Sequence, residues 1–226
     1  MKKLYLHEEP FVSISGESGF FPQGSICIFL RFQKCNLRCI YCDTVKAQSS
    51  KGGIEYSADD VFNKIKTKQV LITGGEPLLA ENCIDFIRIL LLAGHYVQIE
   101  TNGSLPIPVI SEIQGRGGWV IDRKGPSSEN QSRPIGELGI DFYNWNKTPV
   151  IFKYVVASTV SPYYHKDRDF VVTDMIELDS MGYKGMFIIS PMNADTKNKG
   201  VLFFFPDKFR DRVIISLQLH KILGLA

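Results

Sequence analysis

The sequence predicts an α/β fold built on parallel strands. Two observations carry that expectation. Apolar, β-rich runs alternate with helical patterns along the chain, and most of the runs are near-continuously hydrophobic, as strands covered on both faces are. Strand–helix alternation calls for right-handed crossovers, and about six such units fit either a partial (β/α) barrel or an open doubly wound sheet.

The strand runs are 26–32, 69–73, 96–100, 119–122, 150–156 and 186–190. Helical patterns fill 58–67, 81–93 and 173–181. In the second of these, Ile84, Ile87 and Leu91 share one face while Asp85 and Arg88 point elsewhere, and Gly94 supplies a stop. A last helical segment is expected from about Lys208 to Leu223, with Pro206 just upstream. Between Gly115 and Trp145 the chain is rich in Gly, Ser, Pro and Asn and, apart from the short strand at Trp119, reads mainly as loop. A loop that long in a compact domain suggests a lid or binding element.

At 226 residues the chain suits one domain, 1–226, with a substantial core. Hydrophobic residues make up 44% and charged residues 22%; the net charge of +2 argues against a broad nucleic-acid footprint. The start, MKKLYLHEEPF, lacks the apolar run of a signal peptide, and the longest apolar stretch, Ile89 to Ala93, is too short to span a bilayer. The expected location is the cytoplasm.

Five cysteines stand at 27, 35, 39, 42 and 83. An odd count without a secretion signal disfavours a disulfide framework. Cys27 and Cys83 lie in apolar runs and read as core. Cys35, Cys39 and Cys42 follow a strand in the segment ICIFLRFQKCNLRCIYCDT. Three thiolates on one loop suit an iron–sulfur cubane and leave one iron without a protein ligand. A zinc site, which wants four ligands, and a redox pair of Cys39 and Cys42 are the competing readings.

The loop Cys35-x3-Cys39-x2-Cys42, with Tyr41 before its last cysteine, resembles the signature of the radical S-adenosylmethionine superfamily. Thr73-Gly74-Gly75-Glu76-Pro77 after the second run resembles the superfamily's GGEP motif, which contacts the methionine part of the cofactor. The resemblance implies a partial (β/α)6 TIM-like barrel, a four-iron–four-sulfur cluster on the three cysteines, and S-adenosylmethionine chelated at the open iron.

Further segments resemble one family, the 7-carboxy-7-deazaguanine synthases of queuosine and 7-deazapurine biosynthesis. They are Ser13-Ile14-Ser15-Gly16-Glu17-Ser18, Arg31, Cys42-Asp43-Thr44, Glu100-Thr101-Asn102-Gly103, Asp122-Arg123-Lys124, Lys153 to Val156, Ser190-Pro191-Met192-Asn193, and Gln218-Leu219-His220-Lys221 before the terminal Ala226. The resemblance implies a lyase that converts 6-carboxy-5,6,7,8-tetrahydropterin to 7-carboxy-7-deazaguanine with loss of ammonia. It also implies magnesium, an electron donor such as flavodoxin or ferredoxin, and a homodimer.

By the same resemblance, Ile14, Ser15, Gly16, Glu17, Arg31, Thr73, His220 and the carboxylate of Ala226 line the substrate. Tyr41, Asp43, Gly75, Glu76, Asp122, Arg123 and Lys124 touch S-adenosylmethionine, with Ser190, Pro191, Met192 and Asn193, and Thr44 holds magnesium. The chemistry suits these roles. Arg31 offers a fork for a carboxylate, Glu17 an acceptor for pterin NH groups, and Thr44 a hard oxygen.

The chain departs from the family pattern at Ser15 and Ser190, where glutamines are usual, at Ser18, where glycine is usual, and in the bulk of Asp122-Arg123-Lys124. These changes touch substrate contacts more than the cluster. A glycyl-radical-enzyme activator and a non-catalytic zinc module are the alternative readings of the sequence.

Overall fold

Seven parallel strands form the centre of one sheet, and six of them are the runs that the sequence marks as apolar. The computed structural model describes residues 2–141, 149–202 and 204–225. In chain order the strands are β1 (Lys3–Leu6), β2 (Phe11–Ile14), β3 (Ile26–Phe32), β4 (Ile54–Ser57), β5 (Gln69–Gly74), β6 (Tyr96–Thr101), β7 (Gly117–Arg123), β8 (Val150–Val156), β9 (Phe187–Pro191) and β10 (Val213–Ile215). The helices are α1 (Ala58–Lys64), α2 (Cys83–Leu92), α3 (Tyr164–Ser180) and α4 (Leu219–Leu223). The sheet runs β10-β9-β8-β7-β6-β5-β3-β1-β4, with β2 also on β3; its ends do not meet, so the barrel is partial.

Period-two alternation sorts each parallel strand into two faces. One face carries Ile28, Leu30, Val70, Ile72, Val97, Ile99, Trp119, Ile121, Phe152 and Ile189, all buried in the main core. Phe86, Ile87 and Leu90 of α2 and Val171, Met175 and Leu178 of α3 join the same core. Each such side chain stabilises the fold by about 1.5–3 kcal/mol when fully buried. The alternate positions, among them Phe29, Arg31, Leu71, Thr73, Glu100, Val120, Asp122, Lys153 and Val155, line a cavity on the inner face.

Local signals start and stop the helices. The Ser57 hydroxyl accepts the N–H of Asp60 at 3.1 Å and caps α1, whose first turn carries Asp59 and Asp60 where the helix dipole favours anions. After α2, the N–H of Gly94 closes the last turn on the carbonyl of Leu91 at 3.0 Å.

The expected helix from Lys208 to Leu223 is a correction. A 3-10 segment at Asp207–Arg212 leads into strand β10, and only Leu219–Leu223 is α-helical. Val213, Ile214 and Ile215 are β-branched, and they pair in parallel with Phe187, Ile188 and Ile189, so strand pairing overrides the helical spacing. Helix α3 begins at Tyr164 rather than near Thr173, and the short antiparallel strands β1, β2 and β4 carry too little pattern to be seen in advance. The loop expected from Gly115 holds β7 and short 3-10 turns at Pro126–Ser128 and Ile135–Glu137; its far end, Trp145, lies outside the described residues. Cys27 and Cys83 are core residues, both fully buried, and burial pushes the Cys27 thiol up to about 12.

Candidate active site

A cavity of ≈ 200 Å³ opens at the C-terminal ends of β3, β5, β6, β7 and β8, where parallel sheets place their ligands. Cys35, Cys39 and Cys42 all line it, and none is in a disulfide. Their loop is pinned by Arg38, whose guanidinium donates to the carbonyls of Cys35 (2.8 Å) and Leu37 (2.7 Å). Side-chain amides approach two of the sulfurs: Asn102 Nδ2 lies 3.6 Å from Cys35 Sγ and Asn130 Nδ2 lies 3.4 Å from Cys39 Sγ. Among the described residues, no three His, Cys, Asp or Glu side chains gather around a point that would suit a single metal ion.

The turn after β5 packs directly on the cysteine loop. The N–H of Gly75 reaches the carbonyl of Phe32 at 2.9 Å and that of Glu76 reaches Lys34 at 2.8 Å. A Cβ on Gly75 would collide with the Lys34 backbone, so only glycine permits this approach. Lys34 itself sits at φ 81°, a left-handed conformation held by those contacts and by its N–H to the Ala47 carbonyl at 2.7 Å.

The inner wall is polar and charged. Lys153 on β8 pairs with Glu17 and stands 3.3 Å from Asp122, its register partner on β7; Lys124 also reaches Asp122, at 2.9 Å. Burial would raise Asp122, but the two ammonium groups outweigh it and hold the carboxylate below its usual range. For Lys153 the balance is similar: burial would lower it, while Asp122, Glu17 and Glu100 raise it well above an ordinary lysine. Glu100 is shifted up by withdrawal from water despite Lys153. Oε1 of Glu17, Oδ1 of Asp122 and the Tyr41 hydroxyl are buried without hydrogen-bond partners.

Arg31 and Thr44 sit on the opposite side, with Nη1 donating to Oγ1 at 2.9 Å; Thr44 in turn donates to Asp43 at 3.1 Å. Arg31 also pairs with Glu8 at 2.7 Å. The segment from Ser216 to Lys221 closes the site. Leu219 N–H meets the Gly16 carbonyl at 2.8 Å, Ser18 N–H meets Ser216 Oγ at 2.8 Å, and Lys221 reaches Asp43 at 3.2 Å. Burial lowers His220, which packs against Gly16.

Of the residues expected from the sequence, the cavity gathers Gly16, Glu17, Arg31, Thr73 and His220 on the substrate side. It also gathers Tyr41, Asp43, Gly75, Asp122, Lys124, Met192 and Asn193, together with Thr44. Six others do not line it. Ile14 pairs with Ile26 in β2, and Ser15 is fully buried, its hydroxyl turned onto the Glu17 carbonyl at 2.9 Å. Glu76 is buried among backbone donors, and Arg123 points to the outer face, where it forks onto Asp174 at 2.7 and 2.9 Å. Ser190 and Pro191 are buried in β9. The expected carboxylate of Ala226 lies outside the described residues. Lys153 and Asn130 carry no site role in the sequence reading, and Glu100 and Asn102 enter it only within the Glu100–Gly103 segment. For Lys153 a signal existed, a charge inside an otherwise apolar strand.

Comparison with known proteins shows the family and the fold. The Radical SAM superfamily model matches residues 30–123. A 7-carboxy-7-deazaguanine synthase of Clostridium acetobutylicum is 31% identical over 222 residues, spanning 95% of this chain and 94% of that one. Another of the same name, from Methanospirillum hungatei, is 31% identical over 221 residues, spanning 96% and 84%. The crystal structure of QueE from Escherichia coli shares the fold, with a TM-score of 0.67 over 95% of this chain and 93% of that chain at 16% identity. The chain therefore belongs to the 7-carboxy-7-deazaguanine synthase family of radical SAM enzymes.

Proposed function

We propose that this radical SAM enzyme converts 6-carboxy-5,6,7,8-tetrahydropterin to 7-carboxy-7-deazaguanine and ammonia. The observation that carries the reading is a single cavity lined by three free thiols and by Glu17 and Asp122, each of which keeps one buried carboxylate oxygen without a partner. Superfamily membership brings a four-iron–four-sulfur cluster and S-adenosylmethionine. Cys35, Cys39 and Cys42 are the donor set for that cluster: they share one loop, and amides of Asn102 and Asn130 are placed to donate to sulfur. When bound, the cluster and S-adenosylmethionine supply a hydrogen-abstracting 5′-deoxyadenosyl radical.

The chain's own residues bind and orient the rest. Glu17 accepts the pterin's amino and ring NH groups, since one of its oxygens is buried and unpartnered. Arg31 swings from Thr44 to the substrate carboxylate, and Thr73 and His220 flank the ring. Tyr41, Asp43, Gly75, Asp122 and Lys124, with Met192 and Asn193, contact S-adenosylmethionine. Thr44 takes magnesium, with the Asp43 carboxylate beside it.

An external one-electron donor such as flavodoxin or ferredoxin, a homodimer and a cytoplasmic location complete the reading. Exposed Lys34 and Arg38 beside the cysteines suit an acidic donor, and no helix among the described residues is long and apolar enough to cross a membrane.

The test is anaerobic reconstitution followed by reductant, S-adenosylmethionine, magnesium and the carboxytetrahydropterin. A brown protein with about four irons that yields 7-carboxy-7-deazaguanine by mass spectrometry is the expected result. Slow 5′-deoxyadenosine without that product would overturn the substrate. Full cluster content in Cys39→Ala would overturn the cysteine assignment.

A further inference from the structure

Lys153 has no assigned role, yet it is the charge around which the inner wall is arranged. It lies on β8 in the middle of the run VIFKYVV, 8% exposed, with apolar neighbours on both sides in sequence. A lysine in that position carries a large desolvation cost unless it is paired. Its ammonium holds Oε2 of Glu17 and Oδ2 of Asp122, while Oε1 of the one and Oδ1 of the other stay buried and unpartnered.

The two carboxylates depend on Lys153 unequally. Asp122 is in a strand and has a second cation, Lys124, at 2.9 Å. Glu17 lies in the loop between β2 and β3, and among the described residues Lys153 is its only ion-pair partner. The loop's other ties run to the C-terminal segment through Gly16, Ser18 and Gln23 and, four residues from Glu17, to β6 through the Phe21 N–H on Gln98 Oε1 at 3.0 Å.

We infer that Lys153 is a positioning residue for substrate recognition: it anchors the Glu17 carboxylate to the rigid sheet by one oxygen, so that the other faces the cavity in a fixed orientation for the NH groups of the pterin. The inference rests on the reading that Glu17 receives the pterin. An ionised carboxylate held by one oxygen presents an acceptor whose direction is set before the ligand arrives, and a neutral or mobile one does not. Because Asp122 keeps Lys124 when Lys153 is lost and Glu17 keeps no cation among the described residues, the loss separates the two ligands: pterin binding suffers and S-adenosylmethionine binding does not.

The experiment compares wild type, Glu17→Gln, Lys153→Met and the double variant, each reconstituted with cluster. Pterin binding is read by calorimetry, and KM is read for both ligands. The double variant removes both charges together, so it stays informative if Lys153→Met alone leaves Glu17 unpaired and fails to fold. The expected result is a pterin Kd and KM raised about 10- to 100-fold in Lys153→Met, with the S-adenosylmethionine KM within about threefold. The double variant should bind pterin no worse than Glu17→Gln.

Independent losses that add in the double variant would overturn the inference, as would an unchanged pterin Kd in folded Lys153→Met. Wild type that makes product from the pterin while either result holds leaves the proposed reaction standing and removes only the role of Lys153. Wild type that neither binds nor converts the pterin removes both.

Discussion

The carboxylate of Glu76 accepts the backbone N–H of Asn102 at 2.7 Å, tying the turn after β5 to the end of β6. Its other oxygen takes the Thr101 hydroxyl at 2.8 Å and the Leu78 N–H at 3.0 Å. Asn102 in turn directs its amide toward Cys35. The GGEP and ETNG segments are therefore one hydrogen-bonded unit standing behind the cysteine loop.

Glu76→Ala strands three donors at a buried position. The expected cost is about 3 kcal/mol, or a melting midpoint roughly 6–12 °C lower for a chain of this size. Calorimetry of the cluster-free protein measures it. A shift under about 2 °C would show that the three donors find other partners.

Glu100 gives a stability effect that depends on pH. Its folded pKa is raised by withdrawal from water. A group shifted in this direction contributes fully below its unfolded value, near 4.5, and loses that contribution as pH rises through the folded value. Glu100→Gln should therefore melt alongside wild type at about pH 4 and several degrees above it at about pH 8. A gap that is constant with pH would refute the shift.

Gly16 and His220 form a second pair that can be tested by substitution. A side chain at Gly16 meets the His220 ring, so Gly16→Ala must displace the histidine and the segment around it. Pterin affinity is expected to fall roughly tenfold, the loss typical of one misplaced polar contact, with little change in melting. Adding His220→Ala removes the clash, so the double variant should lose less than the two single losses combined. Strict additivity would place the two residues in separate parts of the site.

Arg123 and Asp174 form an ion pair on the outer face, and its loss separates a structural role from a cofactor role for Arg123. The pair is buried, with side chains 4% and 7% exposed, and the fork is completed by Tyr154, whose hydroxyl lies 3.1 Å from Asp174. Asp174→Ala leaves a buried guanidinium uncompensated, at about 3–5 kcal/mol. Iron content and the S-adenosylmethionine KM of the protein that remains folded should match wild type. A rise in that KM larger than the loss of folded protein explains would return Arg123 to the cofactor site.

The sequence was most informative where one chemical demand dictates spacing. The cysteine loop, Gly75 and the apolar strands 26–32 and 150–156 are legible because each is local. The side chain of Arg123 departs from the expectation because a motif read as a block ignores alternation: Asp122 and Lys124 line the cavity, and the side chain between them turns to Asp174. The hydroxyl of Ser15 was likewise not legible, since it satisfies a backbone carbonyl two residues on. Strand β10 and the pairing of Lys153 with Glu17 depend on contacts between distant segments, which no local pattern encodes.

Each parallel strand serves two masters in alternate positions, and this limits how such a gene can change. A substitution can alter the cavity while sparing the core, or the reverse. An insertion or deletion of one residue within β7 or β8 cannot, because it exchanges the faces: Asp122 or Lys153 would turn toward the helices while Ile121 or Phe152 filled the pocket. Length variation in this chain should accordingly be confined to the connecting loops, and new substrate preferences should arise through point changes alone.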